Sequence, residues 1–250
     1  MPKRSREEAA TAHPLANVKA LLFDTFGTVV DWRSSLLRLL ADYGKREGID
    51  ADWPGFLAAW KAGYRPAMDA VISGERPYFN LDEMYLERMN QVIGDFGLAG
   101  LSEAQKTDIL NLWLEIDPWP DAVEGLTRLA RKYTLVTLSN GSFSWLTAIC
   151  KHGKLPFDAV LTEENAGVYK PHPQVYQTAI KLMGMEATPE RCMLTACHNY
   201  DLAAARSHGM KTAFLPRKEY GPDQEADQAP ENDWEVAAKD LVGVAEAMGC

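Results

Sequence analysis

No stretch of this chain stays apolar for the length a bilayer crossing needs, and positive charge is in deficit. Its 26 lysines and arginines face 35 aspartates and glutamates, for a net charge of −9. That balance argues against a nucleic-acid partner, whose phosphate backbone needs a basic face. It leaves room for a local positive pocket that takes a small anion. Cysteine is scarce. Cys150, Cys192, Cys197 and Cys250 are too widely spaced for a zinc pattern or a disulfide framework. Cys192 and Cys197, in or beside a predicted buried strand, read as inert core thiols. The charged start (Lys3, Arg4, Arg6, Glu7, Glu8) has no apolar segment behind it and is not read as a secretory signal. Residues 1–17 are expected to form a flexible tail, and the protein is expected in the cytoplasm.

What is present is enough apolar sequence for one substantial core and a second small module: 46% of 250 residues are hydrophobic. Apolar runs at Leu21–Asp24, Tyr133–Ser139, Ala159–Thr162, Cys192–Ala196 and Lys211–Leu215 predict parallel, fully buried strands. Helix-length segments at Ser144–His152, Gln174–Met183 and Tyr200–His208 separate the last four. Strand alternating with helix predicts an α/β fold with a doubly wound, Rossmann-like parallel sheet. Right-handed crossovers then leave all strand tips at one edge, where ligands bind.

The rhythm breaks once. Between about Trp32 and Pro118 only amphipathic helical stretches occur: Ser35–Glu47, Trp53–Ile72, Asn80–Phe96 and Glu103–Glu115. They predict a helical cap inserted after the first strand, at residues 33–118, above a core of residues 18–32 and 119–250. The aromatic-rich stretch Trp53, Phe56, Trp60 and Tyr64 serves either the cap core or a homodimer interface. Pro216–Asn232 reads as a loop, and Trp234–Met248 as a closing helix.

At the shared edge, four loops converge. The first follows an apolar run that ends on Asp24 and turns through Gly27, with Thr25, Phe26 and Thr28 alongside. The second carries Ser139, Asn140, Gly141 and Ser142. The third leads to Lys170-Pro171, with Tyr176 on the helix behind. The fourth carries His198, Asn199, Tyr200 and Asp201. A carboxylate at a strand tip beside a sharp turn suits a nucleophile, although an Asp there is more commonly a turn or cap residue. His13, His152, His172 and His208 read as surface or loop residues.

These segments resemble the haloacid dehalogenase superfamily. Phe23-Asp24-Thr25-Phe26-Gly27-Thr28 matches its first motif, Leu138-Ser139-Asn140-Gly141 its second and Tyr169-Lys170-Pro171 its third. Asn199-Tyr200-Asp201 falls at its fourth. Ser-Asn-Gly at the second motif, and Tyr-Lys-Pro followed by Val175-Tyr176, are similar to the L-2-haloacid dehalogenases. The resemblance implies that Asp24 attacks the halogen-bearing carbon, forms an ester and is released by water, with Lys170, Thr28, Ser139, Asp201 and His198 assisting. It also implies a substrate and halide surface drawn from Asn140, Lys61, Phe26, Thr25, Tyr176 and Tyr200.

Two features separate this reading from a phosphatase of the same superfamily. Such enzymes use a second acid two places after the nucleophile to protonate an alkoxide. Here that place is Phe26, and a halide leaves without a proton. Cys197 stands where an acid would help hold magnesium, and a thiol suits that ion poorly. No metal or cofactor is therefore expected. The partners expected are a small 2-haloacid and a halide ion, with neither nucleic acid nor membrane.

The pattern also departs from its relatives. Lys61 follows Trp60 where the family carries an Arg, with Arg65 one turn further on. Ala196 and His198 replace a Ser and an Asn. His198 then bonds Asp24 or the attacking water, attracts an anion, or simply braces its loop. A magnesium-dependent phosphatase and a catalytically weak binding relative are the rival readings.

Overall fold

The computed structural model describes residues 15–250. Strands β1 (Ala20–Phe23), β2 (Thr134–Ser139), β3 (Ala159–Thr162), β4 (Cys192–Ala196), β5 (Lys211–Phe214) and β6 (Val236–Ala237) form one sheet. Their order is β3-β2-β1-β4-β5-β6, and every pairing is parallel. The chain winds outward from β1 in both directions, so the central tips of β1, β2 and β4 meet where the order reverses. Apolar side chains fill β1 and β4 on both faces, and both strands are wholly buried, as a sheet covered on two sides requires. Helices α6 (Ala122–Ala130), α7 (Phe143–His152), α8 (Pro173–Leu182), α9 (Asn199–Ser207) and α10 (Leu241–Ala247) cover it.

Between β1 and β2 lie the helices α1 (Trp32–Glu47), α2 (Trp53–Ala62), α3 (Tyr64–Ile72), α4 (Leu81–Val92) and α5 (Glu103–Asn111). Asp31, Asp52, Asn80 and Ser102 cap four of them by accepting from first-turn amides. An aromatic cluster binds the insertion together: Trp60 stacks on Phe56 at 5.3 Å, and Trp113 stacks on Trp145 of α7 at 5.2 Å. The buried Phe56 and Trp60 serve this core.

Several expected boundaries move, each for a local reason. Trp53–Ile72 is two helices, because Pro66 has no amide to bond a carbonyl in the turn before it, so the chain restarts just ahead of it. Asn80–Phe96 and Glu103–Glu115 end in 3₁₀ turns at Ile93–Phe96 and Leu112–Glu115. The closing helix begins at Leu241, not Trp234: Asp240 caps it at 2.7 Å, and Val236–Ala237 instead extends the sheet. The helix α6 was not anticipated, although Ala122, Leu126 and Leu129 lie buried on one face. Of the expected tail, residues 1–14, including His13, lie outside the described residues. Residues 15–17 form a turn with Leu15 buried.

Candidate active site

The chain leaves β1 through Asp24 and doubles back at once. Thr25 O accepts from the amides of Val29 and Val30, and Gly27 takes φ +87°. No side chain fits at Gly27 beyond that strain, since a Cβ would fall 2.1 Å from the Glu219 carboxylate. The turn is also held from outside by Trp119 Nε1, which donates to Gly27 O at 2.8 Å, and by Arg217 Nε, which donates to Thr28 O at 3.1 Å. Arg217 is fixed in turn by a fork on Asp121, at 2.8 and 2.7 Å.

Asp24 is 5% exposed, and its carboxylate is met by side chains from all four loops. On Oδ1, Lys170 Nζ stands at 3.0 Å and Ser139 Oγ at 3.4 Å. On Oδ2, Thr28 Oγ1 donates at 2.8 Å and His198 Nδ1 lies at 3.2 Å. The Thr28 hydroxyl cannot point elsewhere, because its oxygen accepts from the Cys197 amide at 2.9 Å. Burial opposes charge on Asp24, but Lys170, His198 and Thr28 outweigh it and hold the carboxyl well below the usual carboxylate range.

Lys170 is almost fully enclosed and touches two carboxylates, Asp24 and, at 2.5 Å, Asp201 Oδ2. Burial works against its charge, and the two acids more than offset it, so the ammonium persists above the ordinary lysine range. Asp201 has no exposure, and its second oxygen accepts from Tyr176 OH at 2.6 Å. Both its oxygens are thus occupied inside the protein, and it serves as the counter-charge of Lys170. Tyr176, expected on the substrate surface, stands behind Asp201 and is not part of the pocket wall. Thr25 is likewise absent from that wall. Its amide donates to Ser139 Oγ at 3.3 Å, and its hydroxyl is buried without a partner among the described residues. With the Gly27 amide bonded to Val30 O, neither of these two amides after Asp24 is free for a ligand.

Sequence reasoning missed three pocket residues: Tyr64, Glu219 and Tyr220, which line it with Asp24, Lys61 and His198. Glu219 is the most consequential. One of its oxygens lies 2.5 Å from His198 Nε2 and the other accepts from Trp32 Nε1 at 2.7 Å. Burial opposes a charge on His198, yet Cys197, Asp24 and Glu219 outweigh it and raise the ring's pKa well above the ordinary histidine value. His198 therefore faces carboxylates on both sides rather than bracing its own loop. Cys197, expected as an inert core thiol, touches this ring, with Sγ at 3.6 Å from Nε2.

Asn140 and Phe26 also line the pocket, with Gly141 behind Phe26. Asn140 accepts from the Lys170 amide at 2.8 Å, so two expected site residues orient each other. Gly141 admits Phe26, because a Cβ there would lie 2.5 Å from the ring. Its amide donates to Glu163 Oε2 at 2.6 Å. Glu163 is wholly buried, its other oxygen has no partner among the described residues, and burial pushes its pKa up to about 8. Ser142 bonds Asp82 across to the helical insertion.

Lys61 carries its ammonium 3.6 Å from the centre of the Tyr64 ring and 5.1 Å from that of Trp32. Among the described residues it has no ion pair, and burial lowers its pKa to about 8 against the pull of Glu219 and Asp24. Arg65 is instead paired with Asp69 at 2.9 Å, exposed on α3. Tyr200 lines the pocket, tilted against His198 at 5.6 Å.

Asp24, Cys197 and His198 bring three ligand-type atoms within 4.8 Å of one another. They fit a magnesium ion poorly. One is a thiol, one is a ring whose two nitrogens already face carboxylates, and one is a carboxylate with four donors around it.

The family model for haloacid dehalogenase-like hydrolases matches residues 18–209. The fold is similar to that of the L-2-haloacid dehalogenase PA0810, with TM-score 0.89 and 40% identity over 93% of this chain and 99% of that one. It is also similar to the defluorinating L-2-haloacid dehalogenase Rha0230, with TM-score 0.87 and 36% identity over 93% and 96%. In sequence, (S)-2-haloacid dehalogenase 4A of Burkholderia cepacia is 25% identical over 84% of this chain and 87% of its own length.

Proposed function

The chain belongs to the haloacid dehalogenase-like hydrolases, in their L-2-haloacid dehalogenase branch, and is a carbon–halide hydrolase; we propose that it hydrolyses short (S)-2-haloalkanoic acids without a metal. The substrates are haloacetate and 2-halopropionate, and the products are 2-hydroxy acids. The observation that carries this is the state of Asp24. It is ionised and gripped by Lys170, Thr28, Ser139 and His198, with Phe26 where a proton donor for an alkoxide would stand.

In the first step, one Oδ of Asp24 gives up a hydrogen bond and attacks C2 opposite the halogen, releasing halide and leaving an ester. Lys170 aligns the carboxylate, and Asp201 keeps Lys170 charged. Lys61 and Asn140 are suited to receive the departing halide or the substrate carboxylate. Esterification then removes the negative charge that Asp24 offers His198. The ring becomes less basic and releases its Nδ1 proton to solvent, the proton that accompanies the halide in the net reaction, while Glu219 holds Nε2. His198, once neutral, takes a proton from a water that attacks the ester carbonyl. It returns that proton to the alkoxide oxygen of the 2-hydroxy acid as the bond from the Asp24 carbonyl carbon to that oxygen breaks. The water's other proton then passes from the new carboxyl to His198, which restores the carboxylate. Residues 33–118 act as a cap domain, since they close the pocket with Lys61 and Tyr64.

The similarity to a defluorinating relative supports including fluoroacetate among the substrates. The test is chloride release from (S)-2-chloropropionate in the presence of a chelator, with Asp24→Asn alongside. Release by the native protein and none by the variant is expected. Activity lost to the chelator and restored by magnesium would favour a phosphatase-like metal site instead.

A further inference from the structure

Both carboxylate oxygens of Glu219 are occupied, and their two partners stand in different places. His198, in the pocket wall, meets Oε1 at 2.5 Å. Trp32 lies outside that wall and donates from Nε1 to Oε2 at 2.7 Å. Glu219 and Trp32 are both buried. On another side the carboxylate rests against Gly27, where a Cβ would not fit.

Trp32 is itself fixed. It opens α1 where the chain leaves the core, and the Asp31 amide beside it donates to Asp117 O, on the returning chain, at 2.9 Å. Its indole stacks on Trp113 at 6.2 Å and meets Tyr220 edge-on at 5.7 Å.

A buried carboxylate oxygen needs a donor, and an indole offers an N–H with no acceptor. Trp32 therefore holds Oε2 and leaves Oε1 to His198. With Glu219 accepting from Nε2–H, the basic nitrogen of the neutral ring is Nδ1, and Nδ1 faces Asp24 Oδ2 at 3.2 Å.

Resting on the reading of the chain as a haloacid hydrolase with His198 as base, we propose that Trp32 is a positioning residue for hydrolysis of the ester. Its N–H orients Glu219, and Glu219 aims His198 at the attacking water. Halide displacement does not draw on it. Among the described residues, neither Trp32 nor Glu219 is hydrogen-bonded to Asp24 or Lys170. Lys61 lies over the Trp32 ring at 5.1 Å but has a nearer ring in Tyr64, at 3.6 Å.

Two variants separate the parts of the indole. Trp32→Phe keeps a six-membered ring and loses the N–H. Trp32→His gives up the larger ring and keeps a ring N–H. Each is checked for folding by circular dichroism, and chloride release from (S)-2-chloropropionate is followed through the first turnover and beyond. Trp32→Phe is expected to release its first equivalent at the native rate and then turn over about tenfold more slowly, the effect of losing one hydrogen bond to a charged group. Ester should accumulate on the peptide bearing Asp24. Trp32→His should keep most of the native turnover.

Native turnover in Trp32→Phe overturns the proposal. A first equivalent slowed as much as turnover also overturns it, because that marks a packing role, and so do equal losses in the two variants. Each of these results, with chloride released by the native protein, leaves the hydrolase reading standing. No chloride from the native protein overturns both.

Discussion

Glu219 holds His198 from behind: its Oε1 lies 2.5 Å from Nε2, while Nδ1 on the other side of the ring faces Asp24 Oδ2 at 3.2 Å. A carboxylate that fixes one nitrogen leaves the other to work on whatever occupies the Asp24 side.

Displacement of a halide needs no proton, whereas ester hydrolysis needs one removed from water. His198→Asn is therefore expected to release about one equivalent of chloride rapidly and then stall, with steady-state turnover down by about 10²–10⁴-fold. Mass analysis of the peptide bearing Asp24 should show the trapped ester. Glu219→Gln should give a weaker version of the same burst. If halide release slows without a burst in either variant, His198 acts before the ester forms and the assignment is wrong.

The Asp24–Lys170–Asp201 cluster predicts an asymmetric stability series. Lys170→Met leaves buried Asp201 without a counter-ion and Asp24 with His198 alone, and should cost about 3–5 kcal/mol in urea unfolding. Asp24→Asn leaves Lys170 paired with Asp201 and should cost much less. Combining the two should recover part of the Lys170→Met loss, because one of the two charges that lost Lys170 is gone. Equal losses from the two single variants would mean that Lys170 is not held by this pairing.

How much of the site was legible depends on how far apart its parts lie in the chain. Asp24, Thr28, Ser139 and Asn140 lie at a strand tip or within a few residues of one, and Lys170 follows β3 after a short 3₁₀ turn, so a local pattern placed them at one edge. Glu219 and Tyr220 sit in the stretch Pro216–Asn232, whose composition reads as a loop, and only the close approach of that loop to Gly27 brings Glu219 to His198. A glycine right after the nucleophile was the available signal, but it names no partner. Tyr176 shows the reverse error, since proximity to the third loop in sequence carried it to the wrong side of Asp201. The sheet was legible from its apolar runs, except for β6, whose two residues are too few to show a pattern.

Lys61 supplies a pH test. Burial places its pKa at about 8, so it is charged below that value and neutral above it. For an anionic substrate, kcat/KM should fall as pH rises through about 8, while Lys61→Arg, which stays protonated, should extend the plateau upward. Lys61→Met should lower kcat/KM at pH 7 by about tenfold or more and remove that limb of the profile. A limb unchanged in both variants would assign it to another group.

Glu163 tests how the loop carrying Asn140 is held. Its pKa is raised to about 8 in the folded chain from an ordinary value of 4.5, so the folded state binds a proton that the unfolded chain releases. Stability from this group is complete below about pH 4.5, declines as pH rises and is lost through pH 8. Asp24 is shifted the other way, and its stability fades only in acid, so it is constant over pH 5–8. Glu163→Gln has no proton to lose, and its amide oxygen can still accept from Gly141. Relative to the variant, the native protein should therefore lose on the order of 3 kcal/mol between pH 5 and 8 in urea unfolding. A difference that stays flat over that range would mean Glu163 is already ionised at pH 5. Its second oxygen would then require a donor that the buried site does not supply.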